Sequence, residues 1–247
     1  MNEDKFSGKA GLYAKYRPSY PDELINLLFE RTNAETIADI GAGTGIFTKC
    51  LLKKPWKITA VEPNDDMLSE LGNSVGDKIS IVKASAENTG LSENSFDLIT
   101  VAQAFHWFDK ELFKAECKRI LHPDGFLAVV FNSRCQTDVA KARNEVCMKY
   151  CGAYHSGHVH TGYADFDGEN YLKNLYFKKC ECIKIENPYF LTKEQFIGDN
   201  LSRSYALNKD DKDYNDFIAE LETVFYKYCK KGVVAQPYIT ECYLGSF

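Results

Sequence analysis

Between residues 36 and 131, short apolar runs alternate with stretches of helical periodicity, and this alternation narrows the fold more than any other feature of the chain. The runs cover residues 37–40, 57–61, 79–83, 96–102 and 126–131. Each is short and rich in β-branched or aromatic residues, as strands covered on both faces are. Between the first two lie Ile46, Phe47, Cys50 and Leu51, spaced to share one helical face. Met67, Leu68 and Leu71 repeat the pattern after the second run, with Gly72 as the predicted helix stop. Phe113, Cys117 and Ile120 repeat it after the fourth, before a His122-Pro123-Asp124-Gly125 turn. Parallel strands need long crossovers, and helices supply them, so the pattern implies a doubly wound α/β sheet with helices on both faces.

The rest of the chain is less regular. Residues 132–176 are polar and glycine-containing and read as an insertion. Residues 182–191 read as a sixth strand and 239–244 as the last one, with a helical stripe from Tyr214 to Tyr228 between them. Of the 247 residues, 45% are hydrophobic, enough for a sizeable core in one domain. The 30 basic residues fall short of the 35 acidic ones, giving a net charge of −5. No general attraction for nucleic acid or an anionic membrane follows from that balance. The N-terminal residues are polar, with no secretory signal evident, and no apolar run approaches a membrane span. The nine cysteines are therefore expected to be reduced thiols in a cytoplasmic protein.

The strongest local signal is Asp39-Ile40-Gly41-Ala42-Gly43-Thr44-Gly45, between the first strand and the first core helix. Glycines let the chain turn sharply and let a ligand approach the backbone. The loop lies at the carboxyl end of a strand, where open α/β sheets bind nucleotide-like ligands. Ile46 occupies the third glycine position of the dinucleotide pattern, which argues against a pyrophosphate and for a compact nucleoside. Glu62, at the end of the second strand, can accept hydrogen bonds from both ribose hydroxyls. Pro63 leads into a helix whose Met67 can lie against a base, since its thioether is adaptable and polarizable.

In motif order and spacing, the segment from roughly residue 6 to 131 resembles the class I S-adenosylmethionine-dependent methyltransferases. Asp39–Gly45 matches the family's first motif and Glu62 its strand-two acid. Ala84-Ser85-Ala86-Glu87 and Phe96-Asp97-Leu98-Ile99 match the third- and fourth-strand elements. Two further segments, Tyr13–Pro21 and Ala102–Asp109, are similar to small-molecule members of the trans-aconitate methyltransferase type. The resemblance implies a Rossmann-like seven-stranded sheet, mostly parallel with an antiparallel last strand, and helical insertions forming a cap. The core would then be residues 30–131 with 177–191 and 237–247, and the cap about 132–176 and 190–236. It also implies S-adenosyl-L-methionine as cofactor and a small-molecule acceptor, with a carboxylic acid or hydroxyl as the methylated group. Asp39, Gly41, Ala42 and Gly43 would face the methionyl end, with Arg17 pairing to its carboxylate and Tyr13 closing over it. Ala86 and Glu87 would border the adenine, where Ser85 stands in place of an aspartate common in relatives. Gln103 and Ala104 would lie beside the sulfonium.

His106 follows the fourth strand next to Trp107 and Phe108, where an imidazole can deprotonate or orient an acceptor hydroxyl. Packing for structure is the alternative, and a carboxylate acceptor would need no base. Cys147, Cys151, His155, His158 and His160 are residues of metal-ligating type, but their spacing matches no standard zinc site, and no metal is expected. An NAD-type dehydrogenase and a non-catalytic binding module that keeps the nucleoside pocket are the competing readings.

Overall fold

The computed structural model describes residues 8–158 and 170–247. Helices α1 (Ala10–Tyr16) and α2 (Asp22–Thr32) precede the alternating core. The core then runs β1 (Thr36–Ile40), α3 (Ile46–Leu51), β2 (Lys57–Val61), α4 (Asp65–Val75), β3 (Ser80–Val82), β4 (Phe96–Ala102), α5 (Lys110–Ile120) and β5 (Leu121–Arg134). A 21-residue helix α6 (Asp138–His158) follows, and then a single π-helical stretch (Tyr171–Tyr176) and β6 (Lys179–Asn187). The chain ends with β7 (Phe190–Leu191), α7 (Lys193–Leu201), α8 (Tyr214–Tyr228), β8 (Val234–Ala235) and β9 (Tyr238–Ser246).

Seven strands form one sheet in the order β3-β2-β1-β4-β5-β9-β6. The pairings among β1 to β5 are parallel, and β9 runs antiparallel to both β5 and β6. This is the architecture that the resemblance implies. Alternate residues on β5 divide between two apolar layers, as the period of two requires. Leu127, Val129 and Phe131 pack with Phe113, Cys117 and Tyr176, whereas Ala128 and Val130 pack with Leu24, Leu28, Phe47 and Leu51. A third cluster joins α6, α7 and α8 outside the sheet, the region expected as the cap: Val146, Cys147, Leu191, Phe196, Phe217, Leu221 and Val234. Helix α1 is tied to that cap. Lys9 Nζ donates to the carbonyls of Arg203 (3.1 Å) and Ala206 (2.6 Å), and Tyr189 Oη donates to that of Tyr16 (3.0 Å).

Three details differ from the sequence expectation. Helix α4 continues past Gly72 to Val75, because Leu71 and Val75 are buried and outweigh the roughly 1 kcal/mol that an interior glycine costs. The stop is Gly76, at φ +59°. The expected strand 182–191 is β6 and β7, parted at Pro188, whose missing N–H cannot continue a ladder. β7 pairs instead with β8 in a separate two-stranded sheet. The polar insertion 132–176 opens with the end of β5 and then holds α6, whose buried stripe (Val139, Val146, Cys147, Cys151) is interrupted by Arg143 and by a kink at Gly152.

Candidate active site

A cavity of about 700 Å³ opens at the carboxyl ends of β1, β2, β4 and β5, the crevice where doubly wound sheets bind ligands. Each site residue singled out in the sequence lines it: Tyr13, Arg17, Asp39, Gly41, Ala42, Gly43, Glu62, Pro63, Met67, Ala86, Glu87, Gln103, Ala104 and His106.

The loop after β1 is built on backbone conformations that favour glycine. Gly41, Gly43 and Gly45 have φ of +68°, +57° and +82°. Gly41 is also fixed by crowding, since a Cβ there would lie 2.7 Å from the Ala104 Cβ. Gly43 has nothing within 4 Å of a Cβ position, so its open side is the cavity itself. Glu62 is 7% exposed and anchors the loop from β2. Its Oε2 accepts from the Gly43 N–H (2.8 Å) and its Oε1 from the Asn64 N–H (3.0 Å). Asn64 in turn caps α4 by accepting from the Met67 N–H, which sets Met67 against the cavity.

Asp39 lines the cavity and is also tied into the fold. It is 1% exposed, with Oδ2 accepting from Thr48 Oγ1 (2.6 Å) and Oδ1 from Thr100 Oγ1 (2.8 Å). It thereby ties β1 to α3 and β4. Burial pushes its carboxyl up to about 6, against the two hydroxyl hydrogen bonds.

Tyr13 and Arg17 come from α1 and its end, with the guanidinium carbon 4.7 Å from the Tyr13 ring centre. Arg17 Nη2 donates to the Ser202 carbonyl at 3.4 Å, and its buried Nε has no hydrogen-bond partner among the described residues. Thr44 Oγ1, in the glycine loop, is likewise buried and unpartnered. Glu87 Oε1 accepts from the Asp109 N–H (2.9 Å), which joins the segment after β3 to the start of α5. Gln103 ends β4 with φ +57°, a conformation that non-glycine residues rarely adopt, and its side chain donates to the Asn132 carbonyl. That turn delivers Ala104 and then a 3₁₀ turn (Phe105–Trp107), which is rooted by fully buried Phe105 and presents His106 to the cavity.

The opposite wall was not singled out residue by residue in the sequence. It includes Asn132 and Arg134 at the end of β5, Arg143 and Asn144 on α6, Arg203 and Tyr205 after α7, and Tyr238 on β9. Their separation along the chain hides them, since no local spacing links them. The one available signal is Arg143, which shares a helical face with Val139 and Cys147. Among the described residues, no group of three or more His, Cys, Asp or Glu side chains is placed to hold a metal ion. Cys147 and Cys151 are buried, whereas the side chains of His155 and His158 and all of His160 lie outside the described residues. No helix among the described residues is long and apolar enough to cross a membrane.

Comparison with known proteins bears on this geometry. Residues 38–129 match the methyltransferase domain family. An uncharacterized methyltransferase of Mycobacterium tuberculosis is 37% identical over 129 residues, 52% of this chain and 52% of that protein. A candidate S-adenosylmethionine-dependent methyltransferase of Saccharomyces cerevisiae is 29% identical over 127 residues, 48% of this chain and 44% of that protein. The match thus spans about half the length of these curated relatives. In fold, a candidate type II methyltransferase solved from Anaeromyxobacter dehalogenans superposes with a TM-score of 0.69, covering 94% of this chain and 98% of that one at 23% identity. In motif order and sheet order the core of this chain resembles the class I S-adenosylmethionine-dependent methyltransferases, and within it residues 38–129 match the methyltransferase domain family.

Proposed function

We propose that the chain transfers a methyl group from S-adenosylmethionine to an oxygen of a small-molecule acceptor, a hydroxyl or a carboxylate. The observation that carries this reading is Glu62. Its buried carboxylate lines the cavity at the end of β2 and is oriented by two backbone N–H groups, the acceptor chemistry and position that a ribose requires. The open side of Gly43, the unpartnered Arg17 Nε and the unpartnered Thr44 Oγ1 fit a ligand with polar groups in the same place. When bound, the cofactor would supply a methyl carbon already activated by its sulfonium.

The work left to the protein is alignment of the acceptor and exclusion of water. Trp107 and Phe108 border the cavity beside His106 and would keep water from the reacting atoms. His106 would orient the acceptor and, for a hydroxyl, take its proton. For a carboxylate, ionisation is complete well below neutrality and only orientation remains. A cavity of this volume suits a nucleoside with a small partner, within the roughly 300–1,000 Å³ usual for small-molecule sites. The test is a screen of small organic acids and alcohols for S-adenosylhomocysteine release. Release with an acceptor, and none without, supports the enzyme. Cofactor binding with no release from any acceptor would favour a non-catalytic binding module.

A further inference from the structure

The far wall of the cavity carries more positive charge than it neutralises. Arg134, Arg143 and Arg203 surround one carboxylate, Asp199, with nitrogen-to-Oδ2 distances of 3.6, 4.0 and 3.0 Å. The Arg143 and Asp199 side chains are 2% and 1% exposed, so solvent does little to screen them. No second carboxylate forms an ion pair with these arginines among the described residues. Neutral oxygens take part of the load: Tyr238 Oη accepts from Arg134 Nε and Nη2, both at 3.3 Å, and Asn144 Oδ1 accepts from Arg143 Nη2 at 2.6 Å. Among the described residues, Arg143 Nε and Nη1 and Arg203 Nε are buried with no hydrogen-bond partner. Burying an unpaired charged donor is costly, and the cost falls when an anion completes the set. Burial and the neighbouring Arg134 charge both weaken the hold of Arg143 on its proton, which reflects the same excess of cations.

We propose that Arg134, Arg143 and Arg203, held in place by Asp199, bind an anionic group of the methyl acceptor, a carboxylate or a phosphate. The inference rests on the methyl-transfer reading for the identity of the ligand as acceptor, but the anion site itself does not depend on it. Guanidinium groups give these oxyanions short, charge-assisted hydrogen bonds, and a neutral isostere cannot replace them. The three arginines come from β5, α6 and the segment after α7, so one anion would also clasp the cap to the sheet.

Calorimetric titration of the full chain with malonate, inorganic phosphate and neutral malonamide tests this, each with and without S-adenosylhomocysteine. Malonate or phosphate should bind at least about tenfold more tightly than malonamide, given the strength of charge-assisted pairs. The tighter of the two anions identifies the group as carboxylate or phosphate. Arg143→Gln and Arg203→Gln should each weaken the anion about tenfold or more while leaving S-adenosylhomocysteine affinity unchanged. Arg203 is partly exposed, so its variant carries the test if Arg143→Gln does not fold. Equal affinity for malonamide, no anion binding by the unaltered chain, or anion affinity unchanged in the folded variants would each overturn the proposal. If anions bind as expected and S-adenosylhomocysteine does not, the anion site stands and the cofactor reading falls.

Discussion

The two walls of the cavity are built by different means. The wall formed by residues 39–67 is largely backbone: glycines with positive φ, N–H groups gathered by Glu62, and a helix start capped by Asn64. All of it comes from one β-α-β unit. The wall formed by Arg134, Arg143, Arg203 and Tyr238 consists of long side chains from four separated segments. A backbone wall specifies one ligand shape and tolerates little change. A side-chain wall can be altered by substitution without disturbing the sheet, so it suits the part of a site that varies with the acceptor.

His106 lines the same cavity from the turn after β4, and its replacement has the largest expected effect. With a hydroxyl acceptor, His106→Ala should lower kcat by roughly 10²–10⁴ while leaving S-adenosylhomocysteine affinity unchanged. Steady-state kinetics with an identified hydroxyl acceptor check this. A higher KM at full kcat assigns His106 to positioning instead. Next comes Glu62. Glu62→Ala should cost about 2–3 kcal/mol of S-adenosylhomocysteine binding by calorimetry. Both of its oxygens accept from backbone N–H groups, so the amide of Glu62→Gln would turn a donor toward a donor. The isosteric variant should therefore lose nearly as much as the alanine. Retained affinity in Glu62→Gln would mean that this wall is less rigidly specified than its hydrogen bonds imply.

The same contrast explains what could be read from the sequence. Gly41, Gly43 and Glu62 were legible because their roles depend on spacing within one unit, and their placement follows from strand and helix periods. The five parallel strands, β1 to β5, were legible for the same reason. The polar insertion concealed α6, since Arg143 and Gly152 interrupt its apolar stripe. Arg143 is buried through partners more than fifty residues away, which no local pattern contains. Asp39 was recognised as a site residue, but its two threonine partners were not. Thr48 and Thr100 meet it only once β1, α3 and β4 are assembled.

Asp39 provides a test of smaller size. Burial lifts its carboxyl from 3.8 to about 6. Between about pH 4 and 6 the folded chain therefore keeps a proton that the unfolded chain has released. Linkage makes stability fall as pH rises through that window, by about 3 kcal/mol. Asp39→Asn should remove this slope in denaturant titrations repeated across pH. An ionised Asp39 favours a cationic ligand, so affinity for S-adenosylmethionine should rise with pH up to about 6 and level off above it. The rise should not exceed tenfold per pH unit. A flat profile would mean that Asp39 shapes the loop without contributing charge to the ligand.

The smallest effects are expected at two helix caps, one on each wall. Asn64 accepts from the Met67 N–H at the start of α4, and Thr192 forms a reciprocal capping box with Gln195 at the start of α7. Alanine at either position should cost about 1 kcal/mol of stability, the usual value of such a cap. The costs should be alike, but their effects on binding should differ. The Asn64 backbone N–H that Glu62 accepts survives the substitution, but the side-chain cap fixes the segment that carries it, so Asn64→Ala loosens the backbone wall and should weaken S-adenosylhomocysteine several-fold. Thr192 begins the helix that carries Asp199, so Thr192→Ala should leave S-adenosylhomocysteine affinity unchanged and weaken malonate modestly. Melting curves give the stability cost, and parallel titrations of each variant with the two ligands give the split. If both caps affected both ligands equally, the two walls would behave as one mechanical unit, and the division between a fixed backbone wall and a variable side-chain wall would not describe this site.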